Sequence, residues 1–259
     1  MLIDSHCHLC YDVIKNDLIN VIKDCEKHNI KILVNVGFNR ENNECVLKFQ
    51  EKINSVVILK SIGFHPVEVG KPNFKENYNL FLKTLEENID KVSFIGEFGL
   101  DYYWIKNESQ KELQRKIFLE ICSLNFEKPL VLHIRDAWDD FLNLLDRIEH
   151  RPLVLHCYTG SKKVTKKILE YDDIYFSIAT SILRNKSFLN VVKLVPIDRL
   201  LCETDSPYLH PFKDFPNVPS NVRYVYGLIA QVFEEPLEQR IYENFKKLVD
   251  IDGQVLYDW

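Results

Sequence analysis

Glycine is scarce in this chain: 8 of 259 residues, about 3% against a usual ~7%. So few permissive backbone positions are expected to fall where a turn or a close approach requires them. An excess of positive charge is also missing, with 33 Lys+Arg against 38 Asp+Glu and a formal net charge of -5. That balance excludes a broad basic surface for coating nucleic acid and leaves room only for a local basic groove. No apolar run approaches the ~18 residues needed to cross a bilayer. The opening Met1–Leu9 lacks the basic and long apolar segments of a secretory signal. The cysteines (Cys7, Cys10, Cys25, Cys45, Cys122, Cys157 and Cys202) are odd in number and scattered. A cytoplasmic location with mostly free thiols is expected. The sequence contains no G-x-S-x-G elbow, no P-loop and no dinucleotide fingerprint. No cysteine has a readable catalytic partner, so nucleophilic serine and cysteine chemistry find no support.

The chain is 46% hydrophobic and 27% charged, which supplies a large core and argues against disorder. Short apolar runs alternate with segments of helical period. The runs predict strands over Leu2–Ser5, Lys31–Gly37, Val56–Phe64, Val92–Leu100, Pro129–Ile134, Pro152–Cys157, Ile174–Ile178 and Leu200–Thr204. Helices are predicted over Asp17–His28, Phe74–Ile89, Glu108–Phe126 and Trp138–Ile148. In the third of these, Leu113, Ile117, Ile121 and Leu124 form one apolar stripe. Near-continuous apolar strands suit parallel sheets buried on both faces. Eight βα units with no linker between them point to an α/β fold, a (β/α)8 TIM barrel forming a single domain over residues 1–259. A doubly wound open sheet is the alternative. The proline-rich stretch Pro207–Pro219 reads as a surface loop or lid.

Candidate chemistry gathers at the ends of the predicted strands. His6 and His8 alternate about Cys7 at the end of the first strand, so they share a face and could grip one metal ion. Cys7 and Cys10 form a C-x-x-C, but Cys7 projects away from the histidines and no second pair exists to close a zinc site. His65, Glu97, His133, His156 and Asp205 each follow an apolar run. In a barrel these positions lie at the C-terminal face, where chemistry is housed. Any one could be a satisfied core residue; so many together read better as a common metal site. Gly37, Gly63, Gly96, Gly99 and Gly160 lie in or just after strand ends, where they would free the backbone to turn beside a ligand.

Strand parity supplies neighbours: Arg135 with His133, Tyr158 with His156, and Glu203 with Asp205. The Arg135 guanidinium suits a phosphate oxygen, or alternatively a buried ion pair. Glu203 is expected to orient a ligating histidine. Tyr102, Tyr103 and Trp104 could stack on a base or sugar, or simply pack the loop.

The blocks Asp4–His8, Gly63–Pro66, Gly96–Asp101, Leu132–Arg135, Leu155–Gly160 and Glu203–Pro207, in this order, resemble the TatD family of metal-dependent deoxyribonucleases. Pro219–Val222 and Asn244–Phe245 resemble its later signatures. The resemblance runs over essentially the whole chain. It departs from the family pattern at Cys10, where relatives usually carry an acidic residue, and in the loop Lys213–Pro219.

The resemblance implies one or two divalent ions (Mg, Mn, Zn, Co, Ni or Fe). His6, His8, Glu97 and Asp205 would hold the first; Glu97, His133 and His156 would hold the second, with Glu97 bridging. It implies cleavage of DNA phosphodiesters, with 3′→5′ exonuclease action in some members, on single strands or strand ends. Asp205 and Glu97 are the catalytic candidates, and His65, Arg135 and Tyr158 the substrate contacts. The same ions could serve ester or amide hydrolysis, such as deacylation of aminoacyl-tRNA, or occupy a non-catalytic metal-binding barrel. No membrane association and no obligate protein partner are expected.

Overall fold

The computed structural model describes residues 1–148 and 152–249. Its principal strands are β1 (Leu2–Cys7), β2 (Ile30–Val36), β4 (Val56–Ile62), β5 (Phe94–Asp101), β6 (Leu130–Arg135), β7 (Leu153–Leu155), β8 (Ile174–Ala179) and β9 (Leu200–Glu203). A two-residue β3 (Lys52–Ile53) pairs antiparallel with β4. The strand order is β1-β2-β4-β5-β6-β7-β8-β9, with helices in the connections. A doubly wound sheet would reverse its order at a switch point. This sequential order contains no reversal, and Cys7 of β1 pairs in parallel with Ser206, just past β9. The fold class is therefore α/β, with the topology of a (β/α)8 TIM barrel.

Each of the eight expected strands is present. The short β3 and the helix Arg40–Lys48 have no counterpart in the apolar pattern. That helix buries only Asn43 and Val46, too little apolar periodicity to announce itself. Among the described residues, no helix is long and apolar enough to cross a membrane.

The chain forms two compact units: Met1–Asn35, Phe49–Leu59 and Phe176–Trp259 make the first, and Val36–Lys48 with Lys60–Tyr175 the second. In the first unit, every residue of β1 is buried. The Tyr226 hydroxyl, carried by helix Val222–Phe233, accepts the Ile3 amide at 3.1 Å, while Ser5 meets the Ser177 hydroxyl at 2.8 Å. The core strand β1 thus carries polar groups inward, each with a partner.

In the second unit the core is aromatic. Phe98, Phe118 and Phe141 are fully buried, with ring centroids 5.8 Å apart for Phe98–Phe118 and 6.2 Å for Phe118–Phe141. Helix Glu108–Cys122 starts at Asn107, whose side chain accepts the Gln110 amide, and stops at Ser123, before the expected end at Phe126. Its buried face is Gln114, Ile117, Phe118, Ile121 and Cys122. Ile117 and Ile121 lie on that face as expected, but Leu113 and Leu124 are only half-buried. Gln114 shifts the stripe because its amide accepts the Asp101 N–H at 2.9 Å and donates to the Pro66 carbonyl at 2.9 Å. A satisfied buried amide is invisible to a hydrophobic pattern.

Candidate metal centre

The first unit assembles one group of donors. Alternation along β1 sends His6 and His8 to one face, and their Nε2 atoms lie 3.4 Å apart. The Asp205 Oδ1 atom is 3.3 Å from His8 Nε2 and 3.9 Å from His6 Nε2. β9 ends at Glu203, after which Asp205 takes a left-handed conformation, φ 55°, that aspartate tolerates better than most residues. The turn is fixed to β1 by Asp205 N–H donating to the His6 carbonyl at 3.0 Å and His8 N–H donating to the Ser206 carbonyl at 2.8 Å.

Beneath them lies Asp4, fully buried. Its carboxylate accepts the Thr204 amide at 2.9 Å, the Thr204 hydroxyl at 2.5 Å and the His6 amide at 3.3 Å. Burial pushes the Asp4 carboxyl well above the ordinary range despite these hydrogen bonds. Asp4 opens the Asp4–His8 block, and its pinning of Thr204 sets the path of the chain into Asp205.

The second unit assembles another group. The Glu97 Oε2 atom lies 3.3 Å from His156 Nε2 and 3.7 Å from His133 Nδ1, and the two imidazoles stack with centroids 5.7 Å apart. Two glycines make this possible. A Cβ at Gly63 would overlap the Glu97 backbone, and one at Gly99, at φ +152°, would overlap the His133 carbonyl. The Asp101 Oδ2 atom accepts from His133 Nε2 at 3.0 Å, and its Oδ1 accepts the Trp104 amide at 2.8 Å.

This arrangement places the His133 proton on Nε2 and turns Nδ1 toward Glu97. Burial disfavours the imidazolium, yet the Asp101 and Glu97 carboxylates outweigh it and raise the His133 pKa. The hydrogen bonds from His133 and the Trp104 amide likewise outweigh burial at Asp101 and keep its pKa low. Asp101 is the site residue that sequence reasoning left unassigned, although it closes the Gly96–Asp101 block. Its partners become apparent only once β5 and β6 are in register, with Asp101 opposite Arg135.

His65 sits against His133, ring centroids 4.4 Å apart. Its Nδ1 accepts the Val67 amide at 3.3 Å, capping the turn Pro66–Gly70. The proton therefore resides on Nε2, which makes that atom a donor. Burial, and then the neighbouring His133, hold the His65 pKa down to about 3, so the ring is neutral near pH 7.

The remaining expectations divide. Arg135 ends β6 exposed, and among the described residues no carboxylate lies within ion-pair distance of it, which sets aside the buried ion pair. Tyr158 is only 3% exposed and bonds the Thr165 hydroxyl at 2.8 Å. It packs against Trp138. Strand parity does not reach it, because β7 ends at Leu155 and Cys157 turns at φ 45°. Glu203 is fully buried in β9, with a carboxylate oxygen within 4.8 Å of a His6 ring nitrogen. Cys7, Cys25 and Cys202 are free thiols.

Both donor groups fit a divalent cation. Each brings imidazole nitrogens and a carboxylate oxygen to within a few ångströms in a largely buried setting, the nitrogen-and-oxygen set that borderline metals favour.

The model of the family "TatD related DNase" matches residues 3–250. The chain is 35% identical to the metal-dependent hydrolase YabD of Bacillus subtilis, over 97% of this chain and 100% of that one. It is 31% identical to human deoxyribonuclease TATDN3, over 89% of this chain and 87% of that one. Among solved structures, the TatD homologue YJJV of Escherichia coli superposes with a TM-score of 0.84 at 22% identity, covering 97% of this chain and 98% of that one.

Proposed function

The chain belongs to the TatD-related DNase family and is a metal-dependent hydrolase; from that premise we propose that it cleaves DNA phosphodiester bonds, acting on single strands or strand ends. The observation that carries this reading is the pair of donor groups at strand ends, His6–His8–Asp205 and Glu97–His133–His156. A hydrogen-bond donor, His65, and an exposed guanidinium, Arg135, lie close to the second in sequence or space. The DNase family and its human deoxyribonuclease relative favour DNA over other esters.

Following the family resemblance, His6, His8, Glu97 and Asp205 would hold one divalent ion, and Glu97, His133 and His156 would hold a second. Such ions, when bound, supply Lewis acidity that makes water acidic near neutral pH and offsets charge at the phosphoryl oxygens. The protein's own groups do the rest. Asp205 keeps a second carboxylate oxygen to accept the proton of the attacking water. His65, neutral and protonated on Nε2, donates to a phosphoryl oxygen, and Arg135 holds another through its planar fork. Asp101 keeps the His133 ring in the orientation that leaves Nδ1 available. Among candidate metals, the His/carboxylate set accepts Zn, Mn, Fe, Co or Ni, and Mg with more water.

The test is a panel of substrates given to metal-loaded and chelator-treated protein: a labelled single-stranded oligodeoxynucleotide, its duplex, a carboxylic ester and an aminoacyl-tRNA. Cleavage of the single strand that disappears on chelation and returns with metal supports the proposal. Turnover of the ester or the aminoacyl-tRNA with DNA left intact refutes it.

A further inference from the structure

Within the second unit, Tyr103 and Trp104 are the only large apolar side chains left exposed among the described residues, at 44% and 64%. They adjoin in sequence and meet edge to face, ring centroids 4.9 Å apart. Exposed aromatic surface held in a fixed place usually marks a contact site.

This pair is held firmly. The Trp104 amide donates to Asp101 Oδ1 at 2.8 Å, the Tyr102 amide donates to the Arg135 carbonyl at 2.9 Å, and the Ile105 side chain is buried just beyond. The Lys106 ammonium ties the turn again by donating to the Tyr102 carbonyl at 2.8 Å.

The patch is cationic as well as aromatic. The Arg135 guanidinium lies 3.9 Å from the Tyr103 ring centroid and 6.0 Å from that of Trp104, and the Lys106 ammonium 5.6 Å from Tyr103. Stacking against Tyr103 fixes the guanidinium without a carboxylate neutralising it. Its fork is therefore free to take a phosphate. Beside it, Trp104 is the more exposed of the two rings, at 64%, and offers indole surface to solvent. A cation and an open indole side by side match the two ends of one nucleotide: phosphate on the guanidinium, base on the ring. Apolar or acidic partners would leave the Arg135 charge or the indole unmatched.

The patch is also joined to the metal centre. Asp101 divides its two oxygens between the Trp104 amide and His133 Nε2, so one carboxylate sets both the indole's turn and the imidazole.

We propose that Tyr103, Trp104 and Arg135 form a subsite for one unpaired nucleotide of the strand being cleaved, with its base stacked on Trp104 and its phosphate on Arg135. This inference rests on the DNA reading above and deepens it. A base inside a duplex has both faces covered by its neighbours and cannot be offered to an indole without unstacking. The subsite therefore selects single strands and frayed ends, and it is indifferent to base identity because every base has a π face.

The experiment measures equilibrium binding of a cleavage-resistant phosphorothioate heptathymidylate to the metal-loaded protein, beside the same backbone with abasic residues. The wild type should bind the thymidine strand more tightly than the abasic one. Trp104→Ala, a change at an exposed position, should weaken thymidine binding roughly 5- to 100-fold and bind the two strands alike. Trp104→Phe should recover part of the preference, a rescue that a purely structural effect would not give. Equal binding of both strands by the wild type, or an undiminished thymidine preference in Trp104→Ala, overturns the subsite. If that occurs in a protein that still cleaves DNA, only the subsite falls. If the wild type binds neither strand and cleaves no DNA, the DNA reading falls with it.

Discussion

Replacing Asp101 by asparagine tests the metal centre through a residue that touches no metal. The aspartate has two acceptor oxygens and both are engaged, one by His133 Nε2 at 3.0 Å and one by the Trp104 amide at 2.8 Å. Asparagine keeps the shape but offers a single acceptor, its other end being an NH2 donor. One of the two N–H groups must then face a donor. If the turn keeps its acceptor, the amide NH2 meets His133 Nε2 and drives the imidazole proton to Nδ1, the nitrogen facing Glu97 at 3.7 Å. A protonated Nδ1 cannot ligate. If instead His133 keeps the oxygen, it still loses the charge on its acceptor. Hydrogen bonds to charged groups are worth about 1.5–3 kcal/mol and neutral ones about 0.5–1.5, so the loss is about 1–1.5 kcal/mol. That is roughly tenfold in affinity, within the ~10- to 100-fold seen when a carboxylate behind a ligating histidine is removed. Competition against a chromophoric chelator with Zn2+ or Co2+ measures the affinity, and the visible spectrum of the Co2+ form reports the ligand field. Thermal unfolding of the metal-free variant separates this effect from general damage. An affinity within twofold of wild type, with an unchanged Co2+ spectrum, would refute the positioning role.

Glu97→Ala should remove one metal equivalent by elemental analysis and abolish most hydrolysis while the fold survives; unchanged metal content would leave the bridging assignment without support. The rise in Tm on adding metal should grow with pH. The Asp101 and Glu97 carboxylates raise the metal-free His133 pKa above its ordinary 6.5. Their stabilisation of the metal-free protein is complete below 6.5 and fades as pH climbs through the raised value, just where the neutral ring becomes able to ligate. A metal-induced Tm shift that shrinks over that window would contradict the assignment. Phe118→Ala, which empties a fully buried position between Phe98 and Phe141, should cost ~3–5 kcal/mol in urea unfolding; a loss below ~1 kcal/mol would show that the second unit's core is packed around something else.

The sequence by itself determined the strands, because each is a run of apolar residues that must be buried on both faces. It also determined which side chains follow those runs: His6, His8, His65, Glu97, His133, His156 and Asp205 were all legible as polar groups at strand ends. Strand alternation correctly put His6 and His8 on one face, since β1 continues to Cys7. The same rule does not extend to Tyr158, because the chain leaves extended geometry at Cys157. Alternation is a property of the pleat and ends with it. Tertiary structure alone decided the supporting contacts. Asp4 holding Thr204, Gln114 spanning Pro66 and Asp101, and Asp101 dividing itself between His133 and Trp104 join residues from different elements. A buried polar group is defined by the partner that satisfies it. That partner is set by register and packing, which no local pattern encodes.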